Sequence, residues 1–106
     1  MSEEANLLRL LVQADKEFVI TPVRVTETAT LFTSELTSGY KRKTLSFYNN
    51  SNTLSGEVEW GGSTLVKGSG QPIPVGAILN VPVAVNLPVY LICGSGEGDV
   101  RAIELA

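Results

Sequence analysis

Glu57-Val58-Glu59-Trp60 alternates acidic and apolar side chains, which is the period-two pattern of a β-strand with one buried face. In this pattern Val58 and Trp60 point into a core, whereas Glu57 and Glu59 form a solvated outer face. Gly61-Gly62-Ser63 follows directly, and these residue types favour a turn. The sequence therefore predicts a half-buried strand that ends in a turn.

The same alternation recurs on both sides of this strand. In the segment 23–31, the side chains of Val23, Val25, Ala29 and Leu31 share one face, opposite an arginine and three threonines. Val81, Val83 and Val85 share a face in the same way. The run Val89–Cys93 is apolar on both faces, which is typical of a central strand. Further strands are predicted at 44–48, with Leu45 and Phe47 inward, and at 100–105.

Turn-forming residues separate these runs at intervals of roughly 8–12 residues, which is typical of a β-sandwich or barrel. Pro82 and Pro88 cannot donate to a ladder, so we expect them at an edge, a strand start or a bulge. We predict an all-β domain over residues 17–106, an antiparallel, jelly-roll-like β-sandwich of about 7–8 strands. Its predicted turns include Ser38-Gly39, Asn49-Asn50-Ser51-Asn52, Pro74-Val75-Gly76, and hairpin turns at Gly68-Ser69-Gly70 and Gly94-Ser95-Gly96.

Residues 1–16 differ from the rest of the chain. Glu3 and Glu4 precede a leucine-rich run that has no glycine or proline, which predicts a short helix or an extended arm. Its large apolar residues need a surface to cover them, either on the same domain or on a neighbouring subunit. We take these five residues as a candidate interface: Leu7, Leu8, Leu10, Leu11 and Val12.

The composition argues against most catalysis. The 106 residues contain no histidine and one cysteine, which excludes histidine-based triads and cysteine-rich metal sites. We therefore predict no enzyme activity and no catalytic, cofactor or metal residue. The net charge of −3 argues against a nucleic-acid partner, and no apolar stretch approaches the roughly 20 residues that span a bilayer. The acidic start, Met1 to Glu4, does not resemble a secretory signal, so we expect a protein made in the cytoplasm.

Several side chains are candidates for chemistry, each with a structural alternative that we favour. Glu57 and Glu59 would lie roughly 6.5–7 Å apart on one strand face, a spacing that also suits paired carboxylates of a glycosidase. Glu97 and Asp99 are possible calcium ligands, although calcium prefers six to eight oxygens. We favour a solvated strand face for Glu57 and Glu59 and a turn for Glu97 and Asp99. We also interpret the basic triplet 41–43 as a solvated edge and Cys93 as a buried thiol.

Four aromatic side chains allow a second type of site, a platform on which sugars stack. Trp60 alternates with two glutamates and is therefore predicted to pack in the core instead. Asn49-Asn50-Ser51 matches a glycosylation acceptor, and we interpret it as a turn. The candidate sugar-binding residues are Tyr40, Tyr48, Tyr90 and Trp60.

The last two-thirds of the chain resembles tailed-bacteriophage virion structural proteins, most closely small capsid decoration (cement) proteins. The resemblance begins with a basic residue before a strand that ends in Tyr48-Asn49. A second strand, which ends in Gly61-Gly62-Ser63, and a turn over Pro72–Ala77 follow. It continues through a strand over 87–92 and ends with Val100-Arg101-Ala102-Ile103-Glu104.

This resemblance implies a small virion protein that sits outside an assembled capsid, as a homo-oligomer, with a trimer favoured. The implied partner is the major capsid protein or another virion protein. The implied location is the capsid surface of a particle assembled in the host cytoplasm. Related modules also occur in tails and fibres, so a tail or fibre module and a carbohydrate-binding module stay open as alternatives.

Overall fold

The computed structural model describes residues 16–51, 57–83 and 86–106. These ranges contain eight β-strands and no helix, and therefore no helix long and apolar enough to cross a membrane. Residues 1–15 of the predicted arm lie outside the described ranges, as does Val85. The strands are β1 (Phe18–Val25), β2 (Thr30–Phe32), β3 (Thr44–Asn49), β4 (Val58–Gly61), β5 (Gln71–Ile73), β6 (Ile78–Asn80), β7 (Val89–Cys93) and β8 (Gly98–Leu105).

The strands form two antiparallel four-stranded sheets. Sheet A has the order β1-β8-β3-β6, and sheet B has the order β2-β7-β4-β5. The first strand pairs with the eighth, the second with the seventh, the third with the sixth and the fourth with the fifth. The chain is thus one long hairpin rolled into two sheets, which is the connectivity of a jelly roll. The predicted all-β sandwich is confirmed, and the run 89–93 is a central strand.

The core lies between the two sheets and is built from the inward positions of both. Phe32 of sheet B meets Phe47 of sheet A edge to face, with ring centroids 5.7 Å apart and an interplanar angle of 88°. This geometry is favourable for aromatic pairs and joins the sheets at their centre. The other buried members are Val25, Leu45, Val58, Ile73, Val81, Val89, Leu91, Cys93, Val100 and Ala102.

Proline positions follow the sheet edges. Pro22 lies in β1 and Pro72 in β5, and both are edge strands of their sheets. Pro82 follows the edge strand β6, and Pro88 immediately precedes β7. Because proline cannot donate to a ladder, these positions cost no sheet hydrogen bond. The expectation is confirmed for Pro88, at the start of β7, but not for Pro82, because β6 ends at Asn80 and the predicted strand through Val81 and Val83 does not form.

Two expectations about connections are wrong. The segment 23–31 is not one strand, because the chain bends after Val25 and crosses from sheet A to sheet B. The bend shifts the alternation by one residue, so Leu31 is 49% exposed and Phe32 is buried in its place. Gly94-Ser95-Gly96 likewise connects β7 in sheet B to β8 in sheet A, so it is a corner between sheets and not a hairpin. Gly68-Ser69-Gly70 does lie in a hairpin loop, between β4 and β5.

Candidate functional site

Exposed apolar side chains are paired across the outer face of sheet A. Phe18 of β1 lies opposite Leu105 of β8, and Ile20 lies opposite Ile103. Phe18 is 64% exposed and Ile20 is 50% exposed, while their partners on β8 are half-buried. We call these four residues the apolar patch. It faces away from the core, because the alternating positions of β8, such as Val100 and Ala102, are the buried ones.

The opposite end of the same outer face is charged. Asp99 accepts hydrogen bonds from Arg101 and from the Asn50 side chain, and Arg24 is paired with Glu97. The Arg101 guanidinium, followed by the Asn50 hydrogen bond, lowers the pKa of Asp99. The hydrogen bond from Arg24 lowers the pKa of Glu97. Each carboxylate is thus held by side chains of this chain.

These pairings weaken the calcium hypothesis for Glu97 and Asp99. Carboxylates that are already engaged by guanidinium groups are poorly placed to ligate a cation, because calcium needs several unshared oxygens. Across the three described ranges, no three Asp, Glu, Cys or His residues come together in a way that would hold a metal ion.

A pocket lined by basic residues lies next to the apolar patch. It has a volume of about 430 Å³, and Lys16, Lys41 and Lys43 on its lining are exposed. The Lys16 ammonium lies 5.8 Å from the ring centroid of Tyr40, within cation–π range. The main chain joins this pocket to the patch, because Lys43 N–H donates to the carbonyl of Leu105 at 2.7 Å. We call it the basic pocket.

Arg42, the middle residue of the basic triplet, does not form a solvated edge, so that interpretation is wrong for this residue. Its side chain is only 3% exposed and pairs at 3.0 Å with Glu104, which is fully buried. Glu104 also accepts from the Ser34 hydroxyl at 2.7 Å and from the Glu35 N–H at 3.1 Å. A buried charge pair is tolerated when hydrogen bonds satisfy it in this way, so the pair has a structural role.

Glu59 is also buried, and its predicted position on a solvated face is wrong. It points outward from sheet B, but its Oε2 accepts the N–H of Gly68 at 2.9 Å and its Oε1 accepts the N–H of Gly70 at 2.8 Å. Both carboxylate oxygens therefore hold the β4–β5 loop, whereas Glu57 is exposed as expected. The paired-carboxylate hypothesis loses its support, because both carboxylate oxygens of Glu59 are already engaged by the main chain of the loop.

The β4–β5 loop covers the outer face of sheet B. Leu65 of this loop is buried and lies over Gly61, where a Cβ would meet its Cδ1 at 3.1 Å. A Cβ at Gly70 would lie 2.6 Å from the Trp60 carbonyl oxygen, so only glycine allows the loop this close approach. Ile92, on the same outer face, is only 4% exposed.

Cys93 is buried, as predicted, and is only 1% exposed. Its Sγ lies 3.3 Å from the Gly96 carbonyl oxygen and 3.6 Å from that of Val25. Burial raises the pKa of the thiol. Because the thiolate is the reactive form, these surroundings favour an unreactive cysteine.

The aromatic residues do not converge on one platform. Trp60 packs against the core from a half-buried position, as predicted, beside a cleft of about 240 Å³. Tyr40 lies in the basic pocket, and Tyr48 lies on the outer face of sheet A beside Arg101. Asn49 is buried and accepts from the Ser51 N–H at 3.1 Å, which supports its interpretation as a turn residue.

Sequence reasoning missed the apolar patch. Phe18 and Ile20 alternate with Val19 and Thr21, so β1 has apolar residues on both faces, and this pattern was the available indication. The predicted interface residues Leu7, Leu8, Leu10, Leu11 and Val12 lie outside the described residues, so their role stays a prediction.

Comparison of the chain with protein-family models and with curated protein sequences gave no match.

Proposed function

We propose that this chain is a non-enzymatic structural protein of a tailed-bacteriophage particle. In this role it binds the outside of an assembled capsid as a homo-oligomer, most simply a trimer, and stabilises the shell. The resemblance of the last two-thirds of the sequence to capsid decoration proteins supplies the class of partner.

The apolar patch is the observation that supports this proposal. Large apolar side chains exposed on a sheet face are costly in water, and full burial of each contributes about 1.5–3 kcal/mol. Phe18 and Ile20 therefore favour a state in which another protein covers this face. The patch is small, so one contact is weak, but copies arranged on a symmetric shell bind with a high effective concentration.

The buried glutamates and the thiol have structural surroundings, which fits a role that needs no catalysis. Glu59 holds a loop, Glu104 holds Arg42, and Cys93 is enclosed. A protein that binds only the assembled shell stabilises it by mass action. A rigid domain with an exposed apolar surface is sufficient for this role.

Shell binding is tested by co-sedimentation of the purified chain with shells of the source phage prepared without it, and separately with its tails. We expect binding to shells and an increase in the temperature at which they break down. Ile20→Asp should abolish binding, whereas Leu31→Asp should not, because Leu31 is equally exposed but lies on sheet B. Absence of wild-type binding to shells contradicts the proposal, and binding to tails alone would favour the tail or fibre alternative.

A further inference from the structure

We propose that the apolar patch and the basic pocket together form a seat for residues 3–12 of a second copy of this chain. This inference rests on the proposed function and deepens it: it assigns the patch to contact between copies of the homo-oligomer, so that Ile20→Asp weakens shell binding through loss of the oligomer. It concerns the purified protein alone, so it can fail while shell binding holds, and the reverse is also possible.

The first argument is the size of the patch. Four side chains on two neighbouring strands cover at most a few hundred Å², whereas a stable interface buries about 800 Å² on each partner. Contact of one patch with another is therefore too small to hold two copies together. A segment that carries five further large apolar residues, Leu7 to Val12, enlarges the buried area and is itself in need of cover.

The second argument is the match in charge order. In the segment, Glu3 and Glu4 precede the leucines within a few residues. On the folded domain, the exposed Lys16 and Lys41 of the basic pocket lie beside the end of β8 that carries Leu105. A segment that places its acidic end on the pocket thus brings its leucines onto the patch. Complementary charges of this kind fix the orientation of a docked segment.

The third argument is the length of the chain, which favours a second copy over the same molecule. Glu4 precedes Lys16 by 12 residues, so the two lie about 18 Å apart along a helix and about 40 Å apart along an extended strand. To bring its own Glu4 back to the pocket, the chain must reverse direction within the leucine-rich run. The midpoint between Glu4 and Lys16 is Leu10, so the leucines would form the turn instead of lying along the patch. The segment of another copy can approach in one straight piece.

Disulfide trapping between two differently labelled copies tests the seat. One copy carries Leu8→Cys and the other carries Ile20→Cys, and the native Cys93 is replaced by Ala in both. We expect a crosslink between the two copies under mild oxidation. Leu31→Cys is the matched control, because Leu31 is as exposed as Ile20 but lies on the other sheet. A crosslink that forms equally with Leu31→Cys, or no crosslink at all, overturns the inference.

A single chain that carries both Leu8→Cys and Ile20→Cys shows whether the segment docks on a second copy or on its own domain. Crosslinked dimers support exchange between copies. A crosslinked monomer, together with a monomeric mass of the wild-type chain in light scattering, shows that the segment covers its own domain and overturns the inference.

Charge reversal tests the orientation. Lys16→Glu with Lys41→Glu should weaken self-association about tenfold, as expected for a few exposed ion pairs. Adding Glu3→Lys and Glu4→Lys should restore it. Failure of the second pair of substitutions to restore association contradicts the proposed placement of the acidic end, and the unfolding midpoint of each variant shows that the domain is intact.

Discussion

The outer faces of the two sheets carry similar apolar side chains but differ in how these are covered. On sheet B, Ile92 is 4% exposed and lies opposite Glu59, which holds the β4–β5 loop, whereas Leu31 on the edge strand β2 of the same face is 49% exposed. On sheet A, Ile20 is 50% exposed, and none of the described residues folds over it in this way. The centre of the sheet B face thus contributes to the stability of the single domain, whereas the paired apolar side chains of sheet A are available for association.

Removing the Glu59 carboxylate should have the largest effect on stability. In Glu59→Ala the N–H groups of Gly68 and Gly70 lose their acceptor, and a hydrogen bond to a charged group contributes about 1.5–3 kcal/mol. We expect the free energy of unfolding to fall by about 3 kcal/mol in urea denaturation. Glu57→Ala, two residues earlier on the same strand and exposed, should change it by less than about 0.5 kcal/mol. Equal effects of the two variants would show that the loop is not held by Glu59.

Gly70→Ala should displace the β4–β5 loop from sheet B by a steric clash instead of a lost hydrogen bond. The added methyl group meets the Trp60 carbonyl oxygen, so the backbone has to shift, and overpacking of this kind costs about 1–3 kcal/mol. The matched control is Gly62→Ala, because a Cβ there meets nothing within 4 Å. Thermal unfolding of both variants measures the difference, and a stable Gly70→Ala variant would contradict the close approach.

Ile20→Thr should show the opposite behaviour on sheet A. It removes most of an exposed apolar surface but keeps the β-branched shape that suits a strand, so the free energy of unfolding should change by less than about 0.5 kcal/mol. Self-association in analytical ultracentrifugation should nevertheless weaken. Leu31→Thr should leave association unchanged. A large loss of stability in Ile20→Thr would mean that the domain itself covers this face.

A small and pH-dependent effect is expected at the charged end of sheet A. Asp99→Asn removes the carboxylate that pairs with Arg101, and an exposed pair contributes at most about 1 kcal/mol. Because the pKa of Asp99 is lowered in the fold, its contribution is present at neutral pH and is lost as the pH falls below about 4. The difference in urea stability between variant and wild type should therefore shrink progressively as the pH is lowered from about 4. A difference that does not shrink below this pH would rule out the ion pair as its cause.

The fold class could be predicted because it depends on local patterns. Period-two alternation, glycine-rich turns and prolines at edges are properties of a few neighbouring residues, and they identified the sandwich and the central strand 89–93. The register after Val25 could not be predicted, because a two-residue bend moves Leu31 outward and Phe32 inward without a proline or glycine to mark it.

The environments of charged residues could not be predicted, because their partners are distant in sequence. Arg42 meets Glu104 62 residues later, and Glu59 is covered by a loop that closes only when β5 pairs with β4. An alternating strand indicates which side chains share a face, but it does not indicate what lies over that face. The apolar patch was missed for the related reason that β1 is apolar on both sides.

The position of β8 has a consequence for biosynthesis. This strand lies between β1 and β3, and it is formed by residues 98–105. Sheet A therefore cannot assemble on the ribosome until these residues have emerged from the exit tunnel, although β1 was synthesised long before. Until then Phe18 and Ile20 belong to an unpaired strand, so folding is a late and nearly all-or-none event, and premature termination before residue 98 should yield an insoluble product.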